Sequence, residues 1–179
     1  MLRNAWSHRT LLSLLLIAFV SLSPVMAQAP DGSCSSEKAR EFDFWVGEWD
    51  VYSGDKKAGT NRIQPILGGC VLQETWSGSE GSAGSSFNFY NPQTKKWHQF
   101  WVWRRGTTLE LAGSYRDGRM ILEGRSEDGQ GRKILNRITW FDLEDGTVRQ
   151  HWEQSRDKGK TWQTSFDGLY RKKTEVAGR

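Results

Sequence analysis

The chain has 179 residues and a formal charge of +4, but two of its basic residues, Arg3 and Arg9, fall in a first stretch of 27 residues that carries no acid. Without that stretch the charge is +4 − 2 = +2, so charge does not mark the protein as a nucleic-acid binder. The other 179 − 27 = 152 residues suffice for one domain with a sizeable core.

Residues 1–27 read as a secretory signal peptide. Arg3, His8 and Arg9 precede the apolar run LLSLLLIAFV, and Val25-Met26-Ala27 ends on small residues. The run is about ten residues long, short of the roughly 20 that a spanning helix needs. The expected protein is therefore exported, periplasmic or secreted, and not inserted in a membrane. In such a compartment Cys34 and Cys70 are expected to form a disulfide, the alternative being two unpaired buried thiols. Residues 28–171 are the expected domain and 172–179 a flexible basic tail.

Residues 35–44, SSEKAREFDF, read as a short helix with Ser35 or Ser36 as N-cap. From Trp49 onward, β-rich runs alternate with turn signals. These are Gly54–Gly59, Gly68-Gly69, Gly78–Gly84, Asn91–Lys96, Arg104-Arg105-Gly106, Asp117-Gly118, Asp128–Gly131, Asp145-Gly146 and Asp157–Lys160. Nine turns, recurring about every 12 residues, separate ten strands. That spacing predicts an all-β fold, an antiparallel up-and-down β-barrel of about ten strands behind one short N-terminal helix.

Residues 155–162, SRDKGKTW, resemble the Asp-box of sialidases, and YNPQTKKW at 90–97 resembles the turn of kelch blades. Propellers carry such motifs once per blade, every 40 to 50 residues or so, whereas each stands once here. Both are better read as hairpin turns, with Asp157 accepting backbone N–H bonds and Gly159 supplying a positive φ. The opening FDFWVGEWDV, 42–51, resembles a group of exported bacterial proteins of no established activity that begin F-D-F-W-x-G-x-W-D-V. Within it Gly47-Glu48-Trp49 is similar to the G-x-W that opens the first strand of lipocalins and other calycins. That resemblance implies a closed barrel with an internal ligand cavity; with about ten strands, nitrobindins and fatty-acid-binding proteins are the nearer relatives.

Turn chemistry sets strand register, and register sets which side chains face inward. A two-residue turn at Asp117-Gly118 pairs Tyr115 with Met120 and puts Leu109, Leu111, Gly113, Leu122 and their neighbours of like parity on the core face. A three-residue loop at Arg104-Arg105-Gly106 pairs Trp103 with Thr107 and turns Trp97, Gln99, Trp101 and Trp103 inward. A four-residue Asp-box turn, with an even loop at Asp145-Gly146, pairs Glu153 with Thr164 and puts Arg149, His151, Glu153 and Ser155 inward beside Trp162, Phe166 and Tyr170. A slip of one residue would instead turn those charges outward.

Charges inside an aromatic barrel are costly unless paired or hydrated, so the expected site is a polar anchor for an amphipathic or carboxylate-bearing small molecule. Arg149 would hold the carboxylate, Glu153, His151 and Gln99 would hydrogen-bond it, and Trp97, Trp101 and Trp162 would form apolar walls. No cofactor is implied by this reading. An alternative is a haem- or gas-binding barrel of the nitrobindin kind, with His151 as the inward ligand; another is an envelope interaction module without a ligand. Glu74, His151 and Glu153 are the conceivable acid–base groups, but no nucleophile motif, metal-ligand spacing or phosphate loop accompanies them, and the protein is not expected to be an enzyme.

Overall fold

The computed structural model describes residues 34–173. The expected leader, 1–27, lies outside the described residues, as do positions 174–179 of the expected tail. Ten antiparallel strands follow in chain order: β1 (Gly47–Ser53), β2 (Lys56–Ile66), β3 (Val71–Gly78), β4 (Ala83–Asn91), β5 (Lys96–Trp103), β6 (Thr108–Arg116), β7 (Arg119–Glu127), β8 (Lys133–Asp142), β9 (Val148–Ser155) and β10 (Gln163–Lys172). Each pairs with the next, and β1 pairs with β10, with Val51 opposite Tyr170, so the sheet closes into an up-and-down barrel. Lys172, expected in the tail, is the last residue of β10 opposite Trp49, and Lys173 N–H donates to Glu48 O at 2.9 Å.

The tightest turns do what their residues dictate. Asp117 and Gly118 both take positive φ, 50° and 73°, the geometry whose twist matches two antiparallel strands, and Tyr115 stands opposite Met120. Arg104-Arg105-Gly106 forms the three-residue loop, with Trp103 N–H donating to Thr107 O at 2.9 Å and Gly106 at φ 82°. The stretch Gly54–Gly59, expected as one turn, is shorter than that: β2 already begins at Lys56.

Two features overturn the expected register of β9. The loop from β8 to β9 also takes three residues, Glu144-Asp145-Gly146: Leu143 N–H donates to Thr147 O at 3.1 Å and Gly146 takes φ 76°. This odd loop sets Trp140 opposite Gln150 and Ile138 opposite Trp152. On the other side Thr164 does pair with Glu153 as expected, but β10 bulges at Ser165, so Phe166 meets Trp152 and Asp167 meets His151. Because side chains alternate across a strand, one residue of slip exchanges its faces. Gln150 and Trp152 point into the barrel, and Arg149, His151 and Glu153 point out.

One end of the barrel is filled from the N-terminal segment. Ser36 caps the helix α1 (Glu37–Arg40), its Oγ accepting from Ala39 N–H at 3.3 Å. A single 3₁₀ turn, Asp43–Trp45, then carries Phe42 and Trp45 into the interior. Phe42 stacks on Trp45 with ring centroids 4.9 Å apart and meets Trp97 and Trp140 edge-on at 5.6 and 5.2 Å. Trp49 closes the group, its Nε1 donating to Trp45 O at 2.9 Å. Aromatic side chains bury roughly 150–250 Å² each, so each of these rings contributes at most about 4–6 kcal/mol of transfer free energy.

Cys34 and Cys70 are bonded, with Cα atoms 4.6 Å apart, and tie this segment to the β2–β3 connection. The loop closed spans 36 residues, for which chain entropy gives about 3–4 kcal/mol. Replacing both cysteines by serine is expected to lower the unfolding free energy by about that amount in urea titrations; an unchanged midpoint would show that the aromatic plug alone holds the segment.

Candidate functional site

Beyond the plug the barrel is hollow. A cavity of about 530 Å³ opens at the end that carries the β1–β2 and β3–β4 hairpins. Its wall is aromatic: Trp76 from β3, Trp101 and Trp103 from β5, Trp152 from β9 and Phe166 from β10. Glycines make room for two of these rings. A Cβ on Gly84 would fall 2.3 Å from the Trp101 ring, and one on Gly168 would fall 2.5 Å from the Phe166 ring.

The floor is polar and continuous. Glu74 follows Leu72 and precedes Trp76 in the alternation of β3, which turns all three inward. Asn61 Nδ2 donates to Glu74 Oε1 at 2.7 Å and Ser86 Oγ to Glu74 Oε2 at 2.6 Å. On one side Asn61 Nδ2 also reaches Tyr170 Oη at 3.3 Å, and Tyr170 donates in turn to Gln150 Oε1. On the other, Asn88 Nδ2 donates to Ser86 Oγ at 2.8 Å and Gln99 Nε2 to Asn88 Oδ1 at 2.8 Å. Seven side chains from six strands thus share one network. Asn61 Oδ1, and Trp101 Nε1 in the wall above, are buried without a hydrogen-bond partner among the described residues.

No basic side chain belongs to this network. Burial pushes the Glu74 carboxyl from 4.5 up to about 7, against the pull of its hydrogen bonds from Ser86 and Asn61. Burial, and then the proximity of Glu74, raise Tyr170 well above the usual phenol range. The floor therefore presents a carboxyl that changes charge near neutrality beside a phenol that stays neutral. Among the described residues lining the cavity, the cations are Lys56 and Lys57, both on the hairpin at its mouth; Lys57 Nζ lies 2.8 Å from Asp50 Oδ1.

Of the residues expected from sequence, Glu74, Gln99 and Trp101 come together around the cavity. Trp97 is inward but belongs to the plug, its Nε1 donating to Lys38 O at 3.1 Å. Arg149 lies outside, in a bidentate pair with Asp167 at 2.8 and 2.7 Å. His151 is outside too, with Nε2 3.0 Å from Thr164 Oγ1 and Nδ1 3.8 Å from Glu153 Oε2. Trp162 stacks under the outer-face Arg137 at 4.1 Å. The expected anchor of Arg149, His151 and Glu153 is thus an outer-face cluster, and His98, stacked on Phe89 at 5.6 Å, faces away from the cavity. Asn61, Ser86, Asn88 and Gln150 were not anticipated. In β4 the apolar residues give the wrong signal, since Ser86 and Asn88 are buried and Phe87 is 46% exposed.

The fold is a closed ten-stranded antiparallel up-and-down barrel with a cavity at one end, an architecture consistent with a calycin-like fold. Compared with known proteins, the chain matches no protein-family model and no curated protein.

Two outcomes follow from this placement. Arg149→Met should change the unfolding free energy by less than about 1 kcal/mol, because its pair with Asp167 is solvent-screened; a loss of several kcal/mol in thermal or urea unfolding would mean that the residue is buried. Glu74 acts the opposite way from a salt-bridged acid. The folded state keeps a proton that the unfolded chain releases, so wild-type stability falls as pH rises from about 4.5 to about 7. Over that window Glu74→Gln should gain roughly 3 kcal/mol on wild type, as read by urea unfolding at several pH values, and a constant difference would contradict the placement. Asp128 and Asp157, held down at about 2 by their hydrogen bonds, lose their contribution only below this window.

Proposed function

We propose that this is an exported barrel that binds a small amphipathic molecule, apolar portion against the tryptophans and polar head on the floor. The observation that carries the reading is the cavity itself: about 530 Å³, apolar on its wall, polar on its floor and open at one end, within the range of small-molecule sites. The resemblance of FDFWVGEWDV to the exported bacterial group, and of Gly47-Glu48-Trp49 to calycins, agrees with it, as does the disulfide. Charged pairs such as Arg137–Glu123 and Arg149–Asp167 on the outer face suit water rather than lipid around the barrel.

The carboxylate-bearing ligand expected from sequence loses its support, because Arg149 is outside and the interior carries an acid. Haem bound through His151 loses its support for the same reason. The envelope interaction module remains a second reading. Its basis is that Phe87 and Phe100 stand opposite each other on the outer face, 46% and 38% exposed.

The test is titration of intrinsic tryptophan fluorescence with neutral, anionic and cationic eight-carbon amphiphiles. Saturable quenching is expected for at least one of them, and its weakening in Leu109→Trp, which narrows the cavity. Silence of wild type toward every member of the panel would count against ligand binding and in favour of the interaction module.

A further inference from the structure

We propose that the cavity is a site for organic cations, an ammonium group on an apolar tail, with Glu74 as counter-charge and the tryptophan faces as the cage; this rests on the reading of the barrel as a small-molecule binder. Glu74 is buried and lines the cavity, and both its oxygens are held in place by neutral donors, Asn61 at 2.7 Å and Ser86 at 2.6 Å. Each oxygen so held keeps a further acceptor position. A buried carboxylate without a cation is costly, and the cations that line the cavity, Lys56 and Lys57, stand at its mouth, where Lys57 pairs with Asp50. A ligand that brings its own positive charge removes that cost. An anionic ligand would raise it, and a neutral one would leave it unchanged.

The wall supplies the second half of the recognition. Trp101 and Trp103 meet edge-to-face at 5.6 Å, Trp103 and Trp152 are tilted at 6.2 Å, and Trp76 meets Phe166 edge-to-face at 6.2 Å. These five rings line the same cavity as Glu74, so an ammonium placed there is surrounded by aromatic side chains. Aromatic rings around a site attract an ammonium or a quaternary ammonium electrostatically.

Binding and protonation then compete. The groups facing Glu74 are Asn61 from β2, Ser86 and Asn88 from β4, Gln99 from β5, Gln150 from β9 and Tyr170 from β10. Tyr170 alone of these titrates, and it remains a neutral phenol throughout the neutral range. A cation therefore binds the deprotonated form of Glu74 and displaces its proton below pH about 7. Affinity should rise with pH up to about 7 and level off above it.

Calorimetric titration of the protein with octyltrimethylammonium, 1-octanol and octanoate at pH 5.5 and pH 8 tests this. The expected result is that the ammonium binds at least roughly tenfold tighter than octanol at pH 8 and weakens by roughly tenfold or more at pH 5.5, with proton release, while octanol binding does not change with pH. In Glu74→Gln the pH dependence should disappear and the preference should shrink to what the tryptophan faces supply, while octanol binding persists. Octanol or octanoate binding as tightly as the ammonium at pH 8, or a flat ammonium profile in wild type, would overturn the proposal; the profile decides whether or not the variant folds. If octanol binds without any preference for the ammonium, the small-molecule reading survives and the cation fails; if none of the three binds, both fail.

Discussion

A ten-stranded sheet closed on itself encloses more space than its own inward side chains fill, and the rest of this structure follows from how the chain deals with that surplus. Half of the interior is filled by a segment that is not part of the sheet. Phe42 and Trp45, carried in on one turn of 3₁₀ helix, complete a cluster with Trp49, Trp97 and Trp140, all at most 2% exposed. The Cys34–Cys70 bond ties the segment to the same end. The opposite half receives no such filling and remains a cavity open at one end. The FDFW stretch is therefore a plug, and its position leaves the cavity open at the opposite end.

Between plug and cavity lies the polar layer centred on Glu74. A carboxyl at this depth must be neutral, be paired with a cation, or be surrounded by donors. The chain supplies donors, Asn61 and Ser86, and no cation, which leaves the group poised near neutrality rather than fixed in either state. Networks of this kind hold their members in one arrangement when every group is satisfied. Here Asn61 Oδ1 has no partner among the described residues, and neither have Trp101 Nε1 in the cavity wall or Trp45 Nε1 and Trp140 Nε1 in the plug, so the layer lies between two aromatic groups that each keep unpaired indole N–H groups. The outer face shows the contrast: Arg149 and Asp167 satisfy each other in water and impose nothing on the interior.

The ten-strand barrel was legible because turn signals recur evenly and because Asp117-Gly118 and Arg104-Arg105-Gly106 admit few geometries. Gln99 and Trp101 could be named for the same reason, whereas Glu74 was named only as a conceivable acid–base group, with no register to place it. The β9 anchor was misread over one residue. Asp145-Gly146 looks like a two-residue turn, yet Glu144-Asp145-Gly146-Thr147 repeats the pattern of Arg104-Arg105-Gly106-Thr107, and both form three-residue loops closed by the threonine carbonyl. That parallel could have corrected the register and placed Gln150 and Trp152 inside. The bulge at Ser165 has no such mark in its neighbours. Nor could alternation reveal Ser86 and Asn88, because β4 buries its polar residues on the Glu74 network and leaves Phe87 outside; the requirement of the buried carboxyl overrides hydrophobic patterning there.

The central claim, that the cavity floor holds a carboxyl with no cationic partner, is tested most directly by observing that group. Carbon-13 NMR titration of the Glu74 side-chain carboxyl, assigned by its loss in Glu74→Gln, should show a midpoint near 7. A midpoint at or below 4.5, the ordinary value for a glutamate, would mean that the group is hydrated or paired, and would contradict the account of the barrel interior given above.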